Sequence, residues 1–367
     1  MFTNQNKNQI NEYYMNLALN YARINIGNTK TNPSVGCVII KNGNILGAAT
    51  TSINGRPHAE HNAIKHSKHD LENSILYSTL EPCSNYGKTA PCINLIIKKK
   101  IKKVFFSIND NDSRSYKKAK SKLKENNILV TKGVLSKKVN TFYRSYNKFK
   151  KKTLPFVTSK LAISKDFFTV DKKEKWITNE HSRARVHLIR SNHDCIITSS
   201  QTINADNPRL TCRIEGLKNK SPARIILDNK LKIKVNSKII KESNMHKTII
   251  FYNKTNIKKI SFLNKKKVKT YKVPLNDKKD IDLRFALEKV KKLGFSRIFL
   301  ESGIKLNKCF LDNNLVDDFI IFSSNKKLGN RGEKNIQKYL RVFMNYKKKC
   351  IEKVNLFGEQ FTSYTIK

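Results

Sequence analysis

Apolar residues recur at helical spacing across residues 11–26, and Gly27 just beyond supplies a stop. Val35 to Ile40 reads as a buried strand, and Asn42-Gly43 turns the chain into a second strand through Ile45-Leu46. A helix is predicted from Ala59 to about His66, a strand over Ile75–Thr79, and a helix after Pro91, a residue suited to a first helical turn. The strand Val104-Phe105-Phe106, a Lys-rich helix near 115–125 and a strand at Ile128-Leu129-Val130 complete an alternating α/β pattern.

The stretch Asn147–Pro155 is charged and ends in proline, and the domain boundary is placed there, dividing the chain into 1–149 and 150–367. Beyond it the alternation restarts. Strands are predicted near Phe156–Ile163, Cys195–Thr198, Ile225–Leu227, Thr248–Tyr252, Arg297–Leu300 and Phe319–Phe322, with helices near Asn179–Arg190 and Leu283–Leu293. The pattern describes two successive α/β domains, which suits a length of 367 residues.

No apolar run approaches the ~18 residues that span a bilayer. Met1–Ile10 is polar and Asn-rich, with no apolar signal core. A soluble, cytoplasmic protein without a membrane partner is expected. Seven cysteines spread over this length suit reduced thiols or metal ligands, not a disulfide framework. The formal charge of +46 would by itself suggest a nucleic-acid partner. The lysines are scattered, however, and accompany abundant Asn and Ile, while Gly and Pro are scarce at 13 and 8. AT-rich coding produces that skew, so the charge identifies no function and no nucleic-acid partner is expected.

Chemistry emerges at His58-Ala59-Glu60, Pro82-Cys83 and Cys92. A zinc ion that activates water takes three N/S ligands and keeps one position open. One imidazole and two thiolates meet that need. A carboxylate two residues past the histidine, at a helix start, reaches the water without ligating and carries its proton to the leaving ammonia. This is the His-x-Glu…Pro-Cys logic of zinc nucleobase deaminases. Taken singly, His58 reads more readily as a capping or core histidine and the thiols as small buried hydrophobes. Their joint placement at helix starts after strands favours the metal. His61 reads as a first-turn surface residue.

Three blocks carry a family resemblance: Asn32-Pro33-Ser34-Val35-Gly36-Cys37-Val38-Ile39, Pro57-His58-Ala59-Glu60, and the run from Thr79-Leu80-Glu81-Pro82-Cys83 to Ala90-Pro91-Cys92. They resemble the deaminase half of the bifunctional riboflavin-biosynthesis deaminase/reductases, whose wide cysteine spacing separates them from cytidine and tRNA-adenosine deaminases. The resemblance implies zinc ligands His58, Cys83 and Cys92, with Glu60 as the catalytic proton shuttle. It places Asn32 on the pyrimidine and Lys88 and Thr89 near the ribose phosphate. Two positions depart from the family, which usually has histidine where this chain has Thr51 and Asn85. Weaker grip on substrate is expected there, with the metal chemistry intact.

The second half continues the match through Lys160–Asp166, Trp176-Ile177-Thr178, Ile196–Arg213, Arg224–Asn229, Glu301-Ser302-Gly303 and Leu315-Val316-Asp317. No Gly-x-Gly-x-x-Gly fingerprint or P-loop occurs in the chain, so a nicotinamide cofactor needs a site of another kind. The resemblance supplies one. It implies an N-terminal cytidine-deaminase-like α/β/α domain followed by a C-terminal dihydrofolate-reductase-like α/β domain. Ala162, Trp176, Thr202, Asp206, Asn229 and Gly303 would contact NADPH. Arg190, Leu210, Arg213 and Glu301 would hold the substrate, with guanidinium groups on its phosphate. Glu174 stands at a substrate-facing position usually occupied by a small polar residue, and His187 and His193 read as surface or packing residues.

The implied activity is zinc-dependent deamination of 2,5-diamino-6-ribosylamino-4(3H)-pyrimidinone 5′-phosphate, then NADPH-dependent reduction of its ribosyl group to ribityl. The partner is thus a small pyrimidine ribosyl phosphate, and a homo-oligomer is compatible with it. The alternative, a tRNA-type deaminase using the basic surface, conflicts with the cysteine spacing and leaves the second half unexplained.

Overall fold

In a computed structural model describing residues 4–87, 89–151, 154–344 and 348–367, the chain divides into two units, Met1–Thr153 and Leu154–Lys367. The division falls slightly beyond the expected 149/150. A helix, Arg144–Lys150, takes up the first part of the charged stretch and buries Ser145 and Tyr146.

The first unit comprises α1 (Asn4–Ile24), β1 (Gly36–Lys41), β2 (Asn44–Thr50), α2 (Ala59–His66), β3 (Ile75–Leu80), α3 (Cys92–Lys98), β4 (Lys103–Ile108), α4 (Ala119–Lys124), β5 (Leu129–Lys132), α5 (Ser136–Phe142) and α6 (Arg144–Lys150). Its sheet has the order β2-β1-β3-β4-β5, antiparallel at β1 and parallel from β3 onward. Neighbouring residues of one strand serve opposite faces, as the two-residue period requires. Cys37 and Ile39 pack with Ala59, Ala63, Ile93 and Ile96, whereas Val38 and Ile40 pack with Met15, Tyr77 and Phe105. Both faces are covered, which is why β1 reads as a continuous apolar run. Gly36 permits the close approach of α1, since a Cβ there would lie 1.8 Å from the Ala18 carbonyl oxygen. The helix starts well before residue 11, and residues 6–10 are exposed without an apolar period that would mark them in the sequence. The helix expected near 115–125 shrinks to α4, after Lys117 adopts a left-handed backbone.

The second unit contains β6 (Phe156–Ile163), β7 (Phe168–Asp171), α7 (Glu180–Ser191), β8 (Cys195–Ser199), α8 (Ser200–Asp206), β9 (Ala223–Leu227), α9 (Lys238–Lys241), β10 (Thr248–Tyr252), α10 (Ile257–Lys265), β11 (Lys269–Lys272), α11 (Leu283–Lys292), β12 (Arg297–Glu301), α12 (Ile304–Asp312), β13 (Asp318–Ser323), β14 (Gly332–Asn335), α13 (Gln337–Met344), β15 (Lys348–Ile351) and β16 (Gln360–Thr365). Its nine-stranded sheet runs β11-β10-β9-β8-β12-β6-β13-β16-β15, and β7 pairs with β14. Strands from β11 through β13 are parallel, while β16 is antiparallel to both its neighbours. Again two cores flank the sheet: Ile197, Ile225, Ile249 and Leu300 on one face, Ile196, Ile226, Ile250 and Phe299 on the other. Among the described residues no helix is long and apolar enough to cross a membrane.

Candidate functional site

In open parallel sheets, ligands gather beyond the carboxyl ends of the strands. At the end of β3 the chain leaves the sheet through Glu81-Pro82 to Cys83, and Cys92 opens α3. His58 is the N-terminal flanking residue of α2, with Glu60 in the first turn. His58 Nδ1 lies 3.5 Å from Cys83 Sγ and 3.5 Å from Cys92 Sγ, and the three donor atoms fall within 4.8 Å of one another. Zn–S and Zn–N bonds of about 2.3 and 2.05 Å in a tetrahedron give an N···S edge of about 3.5 Å. The residues therefore fit zinc. The Cys92 N–H donates to Cys83 Sγ at 3.2 Å. Hydrogen bonding from Cys92, outweighing burial, and from His58 lowers the pKa of the Cys83 thiol, while the same contact and burial raise that of Cys92, so Cys83 is the thiol that most readily gives the thiolate a metal requires.

Glu60 is 3% exposed and accepts a 3.1 Å hydrogen bond from the Ser78 hydroxyl. Burial raises its pKa against the opposing pull of His58. A carboxylate with heightened proton affinity beside a metal site suits a proton shuttle. The sequence named Glu81 in a motif without giving it a role. It is 2% exposed and accepts from the backbone N–H groups of Asp110, Lys117 and Ala119 at 3.2, 3.0 and 3.0 Å. It thus ties the Cys83 loop to the segment after β4.

Asn32 donates through Nδ2 to the Gly55 carbonyl at 3.2 Å, and its own carbonyl accepts from Thr29 Oγ1. Thr89 accepts a hydrogen bond from Arg56; Lys88 lies outside the described residues. Both family departures are occupied elsewhere. Thr51, 1% exposed, accepts the Val35 N–H at 2.9 Å, and Asn85 Oδ1 accepts from the Ser115 hydroxyl. His61 has a buried Nδ1 that makes no hydrogen bond among the described residues, so it is less of a surface residue than expected.

In the second unit, strand register brings the site together. Glu301 at the end of β12 sits directly opposite Lys160 of β6. Burial lowers the Lys160 pKa, with the Glu301 charge opposing. Arg190 grips Glu301 with two hydrogen bonds and donates through Nη1 to the Thr211 carbonyl at 2.9 Å. Arg190 is 8% exposed and committed to protein partners, which departs from the expected phosphate contact. Arg213 is the exposed guanidinium nearby. Burial, then the charges of Arg190 and Arg209, lower its pKa, as befits a place that favours an anion. Leu210 is buried with a left-handed backbone. Glu174 is exposed and takes cations of its own, Lys326 at 3.1 Å and Arg331 at 3.2 Å. His187 contacts the Thr211 carbonyl through Nδ1 at 2.9 Å, and His193 is buried in packing.

At the starts of α8 and α12, Ser302 Oγ lies 3.0 Å from Thr202 Oγ1 and 3.4 Å from Ser199 Oγ. Gly303 presents open space where a Cβ would be. Hydroxyls and helix-start amides of this kind suit the phosphates of a dinucleotide. Trp176 is 52% exposed, flanked by Lys175 and Arg183. Asp206 is exposed, with its pKa raised by partial desolvation, while Ala162 packs on the core and Asn229 donates to the Lys279 carbonyl. No role is predicted from the sequence for residues 231–285. Just before them, Asp228 accepts from Ser200 and from the N–H groups of Lys232 and Ile233, and fully buried Arg224 donates to the carbonyls of Arg209, Ile239, Glu242 and His246. That region braces the 200–213 segment.

Fold and sites define a zinc deaminase unit and a reductase unit on one chain. Residues 8–108 match the cytidine and deoxycytidylate deaminase zinc-binding region, and residues 155–354 match the RibD C-terminal domain. The riboflavin biosynthesis protein RibD of Actinobacillus pleuropneumoniae is 31% identical over 323 residues, covering 88% of this chain and 85% of that protein. That of Buchnera aphidicola is 34% identical, covering 87% and 88%. The crystal structure of a diaminohydroxyphosphoribosylaminopyrimidine deaminase/5-amino-6-(5-phosphoribosylamino)uracil reductase from Thermotoga maritima aligns with a TM-score of 0.83 at 28% identity, over 98% of this chain and 99% of that one. The chain belongs to the RibD family of bifunctional riboflavin-biosynthesis deaminase/reductases.

Proposed function

We propose that the first unit deaminates 2,5-diamino-6-ribosylamino-4(3H)-pyrimidinone 5′-phosphate and that the second reduces the ribosyl group of the product to ribityl with NADPH. The observation that carries this reading is the His58, Cys83 and Cys92 donor set with Glu60 in the adjoining helix turn, on the same chain as the separate Lys160–Glu301–Arg190 cluster. His58, Cys83 and Cys92 would hold zinc, which when bound would supply a water acidic enough to attack at neutral pH. Glu60 takes the water's proton and returns it to the departing amine, with Ser78 fixing its carboxylate. Asn32 holds the pyrimidine, and Lys88 and Thr89 lie toward the phosphate.

In the second unit NADPH supplies hydride. Ser302, Thr202 and the Gly303 turn would hold its phosphates, and Ala162, Trp176, Asp206 and Asn229 would contact the rest of it. Arg213 takes the substrate phosphate, Leu210 bounds the sugar, and Arg190 orients Glu301. Lys160, held beside Glu301, supplies a proton to the opening sugar ring. Glu174 keeps Lys326 and Arg331 at the rim of this site. Seven cysteines without a disulfide among them suit a reducing compartment, which supports a cytoplasmic enzyme. We assign no nucleic-acid partner. Incubation of purified protein with the diamino substrate, with and without NADPH, tests the reading: mass analysis is expected to show the deaminated ribosyl product without cofactor and the ribityl product with it.

A further inference from the structure

Arg56 is a half-buried cation that the catalytic account leaves unused. Its backbone is fixed on both sides by the deaminase site. On one side, the carbonyl of Gly55 accepts from Asn32, and Gly55 has no room for a side chain, since a Cβ would lie 2.4 Å from Asn32 Nδ2. Zinc ligand His58 lies on the other side, one residue beyond Pro57. From this anchor the guanidinium crosses to the loop between the two cysteines, where Nη1 donates to the Thr89 hydroxyl. A Cβ on Gly87 would lie 3.2 Å from Nη2, so a bare backbone lets the guanidinium pass.

Among the described residues no carboxylate closes an ion pair with Arg56, and its guanidinium donates to Thr89. A guanidinium has five donors. The Thr89 hydroxyl occupies one of its terminal nitrogens, leaving a fork able to take two oxygens of an anion. A cation lodged between the Asn32 wall and the cysteine loop, without an anionic partner from the protein, calls for an anionic substrate group. Thr51 and Asn85 do not meet that need, because their polar atoms are engaged with Val35 and Ser115.

We infer that Arg56 binds the 5′-phosphate of the deaminase substrate and sets the first unit's preference for phosphorylated over unphosphorylated aminopyrimidine ribosides. The inference rests on the deaminase reading above. Arg56 is a binding residue that carries no proton and touches no reacting bond, so its effect should fall on substrate discrimination.

The test compares wild-type, Arg56→Gln and Arg56→Lys full-length, zinc-loaded proteins. Ammonia release is followed from the diamino ribosyl phosphate and from the same compound without its phosphate. The KM ratio between the two substrates should collapse by about tenfold or more in Arg56→Gln, and Arg56→Lys should restore part of it, keeping the charge but not the fork. An Arg56→Gln protein that keeps the wild-type ratio overturns the inference, as does one in which both KM values rise equally. Should wild-type protein release no ammonia from either compound, the deaminase reading fails. Calorimetric titration of both compounds into wild-type and Arg56→Gln protein then decides the inference separately. A wild-type preference for the phosphorylated compound that Arg56→Gln loses supports it, and equal preference in the two proteins overturns it.

Discussion

Arg190 holds Glu301 with two parallel hydrogen bonds, Nε to Oε2 at 2.8 Å and Nη2 to Oε1 at 2.7 Å, with the two side chains only 10% and 17% exposed. A mostly buried pair of this geometry penalises loss of one member far more than loss of both, because the survivor keeps its charge without a partner. Arg190→Ala is expected to destabilise the second unit by about 3 kcal/mol and to abolish reduction. Ammonia release should continue and its product accumulate. Urea denaturation together with product analysis checks both effects.

His187 lies between Arg190 and Arg213, and its pKa is brought down to about 4 by burial and then by those two charges. The unfolded chain, with an ordinary histidine near 6.5, binds the proton more readily. Stability from the neutral ring is therefore fully present above about pH 6.5 and is lost as pH falls towards 4. The second unit's denaturation midpoint should fall across that window in wild-type protein, and His187→Gln should flatten the fall. Parallel profiles would assign the acid sensitivity to other groups.

Copurified zinc should approach one ion per chain, since the first unit offers three N/S donors at tetrahedral separations. Cys83→Ser is expected to lose both the metal and ammonia release while NADPH-dependent reduction of supplied intermediate persists. Elemental analysis of the folded variant reads this directly, and stoichiometric zinc would remove Cys83 from the ligand set.

The two family departures should behave differently when histidine is restored. Asn85 is only half-buried, so Asn85→His is expected to lower the deaminase KM with little change in kcat. Thr51 is 1% exposed and accepts the Val35 N–H, so a ring there must overpack the core and forfeit that bond. Thr51→His should cost about 1–3 kcal/mol of stability. Thermal melts and steady-state kinetics of the two single variants distinguish these outcomes; unchanged stability in Thr51→His would contradict the packing argument.

The metal centre was legible in the sequence because each donor marks a place where local structure changes: His58 before α2, Cys83 after β3, Cys92 opening α3. Strands flanked by core on both faces, such as Ile196-Ile197 and Ile225-Ile226, were legible as apolar runs. Features decided by distant partners were hidden. The register that sets Glu301 opposite Lys160, the capture of Arg190 by Glu301, and the bracing of Arg209 by buried Arg224 connect residues far apart in the chain. Short or exposed elements such as α9 and β15 carry too little periodicity to announce themselves. Arg56 escaped notice because an arginine beside a motif looks like any surface cation until Asn32 and Thr89 fix it in place.

The central claim is that two chemistries occupy two separate sites, and Glu60→Gln tests it most directly. Glu60 lies in the first unit, whereas Lys160, Arg190 and Glu301 all lie in the second. Removing the shuttle carboxylate should reduce ammonia release at least ~10²-fold, the usual weight of a general acid–base group. NADPH oxidation should proceed at the wild-type rate when the deaminated ribosyl phosphate is supplied directly. A folded, zinc-loaded Glu60→Gln protein that fails to reduce the supplied intermediate would contradict the account, because reduction would then depend on the first site.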